Sequence, residues 1–288
     1  MKKTIYFHIG LGKTGTTSIQ KFLNINYEEL YKRSILYPQT GLINNGHHDL
    51  ATLGEDNFSL NTKELYAKLL IEIDKSSCSK VIISSENFTY MKEKYIEDIY
   101  DTFKDHNIYI VVYVREQVKL IESTYLEWLK TGKDYNGNIE DFSNLHQNAF
   151  DFMIRVEKWV KIFGKKSILA RLFHKNVINN DITIDFQNFL NLGSKLKTLE
   201  RFENESLLPD FANLVYEIEK QNINKEDRLK LITELLYLSG KLKKCSQKKL
   251  ISVKLKDKIL KRYENSNAEF ANLFLNKEES NLLFNKKV

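Results

Sequence analysis

Residues Phe7 to Thr17 read FHIGLGKTGTT, and no other stretch limits the fold of this chain as tightly. The apolar run IYFHI at residues 5–9 leads into Gly10, Gly12, Lys13, Thr14, Gly15, Thr16 and Thr17, and a helical pattern opens at Ser18. That order predicts a strand, a glycine-rich turn and a helix start. Glycines let a backbone approach a ligand closely, and the N–H groups at a helix start attract anions. One lysine and several hydroxyls add donors. The stretch is composed to hold a phosphate or a sulfate. The alternative, a tight turn that holds nothing, leaves a lysine between glycines unexplained.

A Walker A loop needs a glycine, four residues and then Gly-Lys-Ser/Thr. Gly12-Lys13-Thr14 supplies the end of that pattern, but the first glycine belongs at residue 7, which is Phe7. The order Lys-Thr-Gly-Thr-Thr instead resembles the 5′-phosphosulfate loop of sulfotransferases that use 3′-phosphoadenosine-5′-phosphosulfate (PAPS). In that family the lysine, the backbone N–H groups after it and the hydroxyls hold the donor's 5′-phosphate. The resemblance therefore implies donor contacts from Gly12, Lys13, Thr14, Gly15, Thr16 and Thr17.

PAPS also carries a 3′-phosphate, so a second anion site is expected. Residues 108–114 form a continuous apolar, β-branched run, as a buried parallel strand requires. Arg115 follows at its C-terminal end, where ligands bind in open α/β sheets, and Ser123 lies eight residues further on. This pair resembles the family's 3′-phosphate motif. An arginine fork suits phosphate oxygens, and a serine adds one short donor. Tyr125 and Trp128 match aromatic positions after that serine. The family often has proline two residues after the arginine, where this chain has Gln117. Read without the loop, Arg115 and Ser123 are a strand-end ion-pair partner and an exposed helical hydroxyl. Further stretches are similar, in the same order along the chain, to one bacterial branch of the family: His47 to Ala51, Ser84-Ser85-Glu86, Trp159 to Phe173, Asn204 to Leu207 and Glu264 to Asn267. The resemblance then covers nearly the whole chain.

The first ~200 residues alternate strand and helix in the βαβ manner, which predicts a parallel sheet between helices. Strands are expected near residues 4–9, 35–37, 81–83, 108–114 and 167–172. Helices are expected near 62–75, 96–103, 152–163 and 182–192, and from Ser206 onward the pattern is helical only. The expected fold class is α/β: a three-layer, P-loop-like arrangement with a C-terminal helical extension packed on it. Two prolines and no low-complexity linker predict one domain over residues 1–288, with the core and donor site in 1–200 and the helical part in 201–288.

Composition narrows the context. Cys78 and Cys245 are the only cysteines, with no metal-ligand or disulfide spacing. The apolar run after the basic start MKKTIYFHIG is too short for a signal peptide, and no stretch reaches the ~20 apolar residues of a membrane span. A cytoplasmic, bacterial enzyme is the expectation. Ten basic residues against one acid, Asp257, give residues 241–262 a local +9, which leaves the remainder at −3 within an overall +6. The segment reads as contact with an anionic glycan or a membrane surface, or as a solvated helix face. Nucleic acid is not expected, because aromatics are not interleaved with the lysines.

Sulfuryl transfer needs two oxygens in line with sulfur, stabilisation of the charge that leaves and a base for the acceptor. Lys13 suits the leaving charge. The resemblance implies PAPS as co-substrate, 3′,5′-ADP as product and no metal. Three base candidates remain open: His47 and His48 in GLINNGHHDLAT, and Glu86 in ISSENF. Adjacent residues diverge in direction, so only one histidine is expected to face the crevice, and His48 is preferred. Glu86 is then the base itself or a group orienting the acceptor, and Ser85 is an additional donor or an ordinary strand-end serine. His8 reads as a strand residue, and His106, His146 and His174 as surface. Tyrosine and tryptophan faces suit sugar rings, so a glycan or glycolipid hydroxyl is the expected acceptor. An ATP-dependent kinase and a non-catalytic anion- or glycan-binding protein are the alternatives. The first calls for the full Walker A loop, and the second has no use for Lys13 together with Arg115 and Ser123.

Overall fold

The strands form where apolar runs leave no polar face. The longest reads NIYIVVYV, and its last five residues are buried, so it needs cover on both sides. A computed structural model describes residues 1–51, 60–132, 137–194, 196–198, 206–221, 223–242, 245 and 249–284. In chain order the elements are β1 (Thr4–His8), α1 (Thr16–Ile25), α2 (Tyr27–Lys32), β2 (Ile35–Leu36), α3 (Leu60–Lys75), β3 (Lys80–Ser84), α4 (Glu93–Phe103), β4 (Asn107–Val114), α5 (Gln117–Thr131), α6 (Ile139–Leu145), α7 (Phe152–Phe163), β5 (Ile168–Leu172), α8 (Ile182–Phe189), α9 (Pro209–Glu219), α10 (Lys225–Leu242), α11 (Val253–Phe274) and α12 (Lys277–Leu283).

The five strands make one sheet in the order β2-β3-β1-β4-β5, and every pairing is parallel. The α/β expectation holds. β1 is central, with His8 in register with Ser84 of β3 and Val111 of β4.

The chain divides into two compact units, residues 1–115, 152–200 and 266–288 in the first, and 116–151 and 201–265 in the second. One of the breaks falls at residue 200.

In the first unit, alternate residues of the strands face opposite ways. On one face Ile19, Phe22 and Leu23 of α1 pack with Ile82, Val111 and Tyr113 of the sheet and with Ile182 and Phe186 of α8. On the other, Phe7 meets Phe88 edge-on and Phe103 of α4, while Trp159 of α7 closes on Phe88. Helices therefore cover both faces of the sheet. α12 docks on β5, where Glu279 Oε1 accepts from the Leu172 N–H at 3.0 Å.

In the second unit, Phe142 is fully buried among Tyr125, Trp128 and His146. Arg228 of α10 donates to the carbonyl of Leu129 in the last turn of α5. Leu255, Ile259 and Tyr263 form the buried stripe of α11.

Several boundaries differ from the sequence reading. α1 begins at Thr16, two residues before the expected Ser18, because Gly15 in left-handed conformation already serves as its N-cap. β2 stops before Tyr37, and β3 extends to Lys80 and Ser84. α8 ends at Phe189, short of the expected 192, and the chain beyond it turns through a left-handed Asn191. The helical pattern after the loop, which takes in Ile19, Phe22, Leu23 and Leu30 as one helix, breaks at Asn26 into α1 and α2. α6, which has no counterpart in the sequence reading, is short and depends on its Asn138 cap. Residues 204 and 205 of the Asn204–Leu207 stretch, and residues 243, 244 and 246–248 of the basic segment, lie outside the described residues.

Candidate active site

β1 is followed by α1 on one face, while its neighbour β3 leads into α4 on the other. Such a switch in winding opens a crevice beyond the strand ends, and the glycine loop sits there. Residues 9–15 carry the chain from β1 to α1. Gly10 adopts φ 40°, and a Cβ there would lie 2.4 Å from the Thr16 methyl, so only glycine fits. Lys13 is left-handed as well, at φ 64°. A Cβ on Gly12 would meet nothing within 4 Å, so this side of the loop has room. Gly15 offers no side-chain acceptor to the first-turn amides of α1. An oxyanion is the partner that such an end suits.

The hydroxyls of the loop divide by burial. Thr14 is fully buried, and its Oγ1 donates to the Leu11 carbonyl at 2.6 Å, closing the turn from inside. Thr16 is buried beneath Gly10, and Thr17 is exposed. Arg115 stands at the exit of β4, and its Nη1 donates to the Lys13 carbonyl at 3.0 Å. Its guanidinium carbon lies 5.6 Å from the centre of the Phe173 ring. The structure therefore joins Arg115 to the loop directly. Ser123 lies within α5, in the second unit.

The exit of β3 carries the second cluster. His47 is fully buried, its Nδ1 accepts from the Ser84 N–H at 3.1 Å, and its Nε2 donates to the Pro38 carbonyl at 2.9 Å. Both roles are filled by the neutral Nε2–H tautomer. Burial holds its pKa at about 4. His47 is a structural tie between the exits of β2 and β3. His48 is half-buried, and its Nδ1 lies 2.9 Å from Ser85 Oγ, which also accepts from the Asn87 N–H at 3.3 Å. Glu86 is half-buried, and its Oε2 accepts from Gln20 Nε2 at 2.8 Å. A Cβ on Gly46 would fall 2.6 Å from His48 Nε2 and 2.9 Å from Gln20 Cδ, which brings α1, the 46–48 turn and the Glu86 segment to one point.

His8 sits beneath the loop. It is fully buried, with Nδ1 2.8 Å from Ser84 Oγ and its ring edge-on to Tyr113 and Phe186. Burial lowers its pKa to about 3. Its Nε2 has no hydrogen-bond partner among the described residues. His106, His146 and His174 are half-buried, not open surface.

Two features escaped the sequence reading. Gln20 looked like one polar position of an amphipathic helix, yet it is buried against Glu86. Asp185 of α8 accepts from Tyr113 OH at 2.7 Å and from Arg171 Nη2 at 2.6 Å, with Glu279 Oε1 3.6 Å from Arg171 Nη1. That network clamps β4, β5, α8 and α12 below the site. Among the described residues no group of three or more His, Cys, Asp or Glu could hold a metal ion, and no helix is long and apolar enough to cross a membrane.

No family model matches the sequence, and no curated protein does. The chain is similar to a solved structure described as a sulfotransferase from Alicyclobacillus acidocaldarius, with a TM-score of 0.45 and 16% identity over 81% of this chain and 96% of that one.

Proposed function

We propose that the chain transfers the sulfuryl group of PAPS to a hydroxyl of a glycan or glycolipid, and releases 3′,5′-ADP. The observation that carries this reading is the joining of two anion-binding elements at neighbouring strand exits. The loop with the open helix start suits the 5′-phosphosulfate, and Arg115, bonded to that loop, suits the 3′-phosphate.

The residues have distinct tasks. Lys13 and the N-terminus of α1 meet the negative charge that builds on the 5′-phosphate oxygen as its bond to sulfur breaks. His48 takes the acceptor proton. With Nδ1–H donated to Ser85 Oγ, Nε2 holds the lone pair for this step. His47 is spent on Pro38 and Ser84, which leaves His48 as the histidine for the role. Glu86, held through one carboxylate oxygen by Gln20, orients the acceptor hydroxyl. Residues 241–262 are a contact for an anionic acceptor or membrane surface.

Thermal-shift titration with 3′,5′-ADP, ADP and ATP tests the donor. Preferential binding to the folded state raises the melting temperature with ligand concentration. The expected result is stabilisation by 3′,5′-ADP well beyond ADP, and an equal or weaker shift would overturn the reading. For the base, His48→Ala is expected to lower the transfer rate by about 10²–10⁴-fold with 3′,5′-ADP affinity retained. If Glu86→Ala alone has that profile, the roles of the two residues are exchanged.

A further inference from the structure

Arg115 touches the loop at the carbonyl of Lys13, the one loop residue that bears a side chain in left-handed conformation. Outside glycine that conformation costs roughly 1–2 kcal/mol, so the surroundings must hold it. A trans peptide plane points its C=O and its N–H in opposite directions. Fixing the Lys13 carbonyl on Arg115 therefore also aims the Thr14 N–H away from Arg115. Successive N–H groups around a left-handed residue form an anion-binding concavity.

Arg115 is itself held. Its guanidinium lies against the Phe173 ring, and the Phe173 N–H donates to the Val114 carbonyl at 2.7 Å. Phe173 Cε2 in turn lies 3.3 Å from the place a Cβ on Gly15 would take. Arg115, Phe173, Gly15 and Lys13 so close a ring of contacts around the loop. On the other side of the same turn Thr14 Oγ1 holds the Leu11 carbonyl.

We propose that Arg115 has a second role beyond receiving the 3′-phosphate: it is a positioning residue for the 5′-phosphate, acting through the Lys13 carbonyl. The inference rests on the PAPS reading for the identity of the two phosphates. A guanidinium has five N–H donors in a rigid fork, so it can keep the carbonyl while binding a phosphate. Binding at either phosphate then firms the other, which is a coupling between the two halves of one ligand.

Isothermal titration of wild type, Arg115→Ala and Arg115→Lys with 5′-AMP, 3′-AMP and 3′,5′-ADP tests this. 5′-AMP has no 3′-phosphate, so a residue that only binds that group has no effect on it. Arg115→Ala is expected to weaken 5′-AMP about 5- to 10-fold, a coupling of the usual allosteric size. It is expected to weaken 3′,5′-ADP about 100-fold and to remove its advantage over 5′-AMP. Arg115→Lys keeps the charge without the fork and guards against a folding failure. It is expected to fall between wild type and alanine for both ligands.

If Arg115→Ala weakens 3′,5′-ADP while 5′-AMP stays within twofold, Arg115 is a phosphate ligand only and the positioning role is wrong. If wild type binds 5′-AMP and 3′,5′-ADP equally, the PAPS reading fails, yet a loss of 5′-AMP affinity in Arg115→Ala still upholds the brace. Absence of binding by all three nucleotides removes both.

Discussion

Lys13→Ala is expected to lower sulfuryl transfer from PAPS by about 10²–10³-fold, the usual cost of removing one donor aimed at developing charge. The substitution isolates that charge. Alanine keeps a Cβ at φ 64°, so it neither relaxes nor adds to the backbone strain that lysine already bears. The carbonyl that Arg115 holds and the Thr14–Leu11 bond are main-chain or neighbouring groups and survive the change. Turnover should therefore fall much more than affinity for 3′,5′-ADP, whose 5′-phosphate still meets the amides of the loop. Radiolabelled PAPS with a hydroxyl-bearing acceptor reads the first quantity, and thermal shift with 3′,5′-ADP the second. A rate within threefold of wild type would show that leaving-group charge is met elsewhere, and Lys13 would lose its assigned task.

The second large effect is on stability in acid. His8 and His47 are fully buried, and desolvation lowers their pKa values to about 3 and about 4. In the unfolded chain each titrates near 6.5. Between these values the unfolded state binds the protons, so stability present above about pH 6.5 is lost as pH falls toward the folded values. At about 1.4 kcal/mol per pH unit for each group, the pair accounts for about 5 kcal/mol between pH 7.5 and pH 4.5. Urea unfolding at the two pH values measures the loss. The double variant His8→Gln, His47→Gln has no imidazole at either position, and its acid loss should be several kcal/mol smaller. An equal loss in both proteins, or imidazole resonances of His8 and His47 that titrate above pH 6, would refute the assignment.

Legibility differed between parts of the site for a physical reason. The loop could be read because its chemistry is contiguous: glycine, lysine and hydroxyl within residues 10–17 dictate their own turn. Arg115 could be read because it ends an apolar run, and a strand's C-terminal end faces the crevice in any parallel sheet. The histidine pair could be read only halfway. Adjacent side chains diverge, so one of the two is expected inward, but which one is held as a structural tie depends on the carbonyl of Pro38 and the N–H of Ser84. Gln20 was invisible, since its partner Glu86 is 66 positions away and its helix gives no sign that this polar residue is buried.

The sequence by itself determined the class of fold and motivated the proposal of an anionic ligand. Runs of β-branched residues between helical stretches specify a parallel sheet, and glycine, lysine and hydroxyls specify a tight turn into an uncapped helix start, which suits an anion. Tertiary structure alone decided the strand order, the retirement of His47 to a structural tie, the seating of Glu86 on Gln20 and the bond from Arg115 to Lys13. These contacts join residues 37, 66 and 102 positions apart. Local propensity acts over a few residues. Pairings at such separations exist only once the sheet has brought its strand ends together.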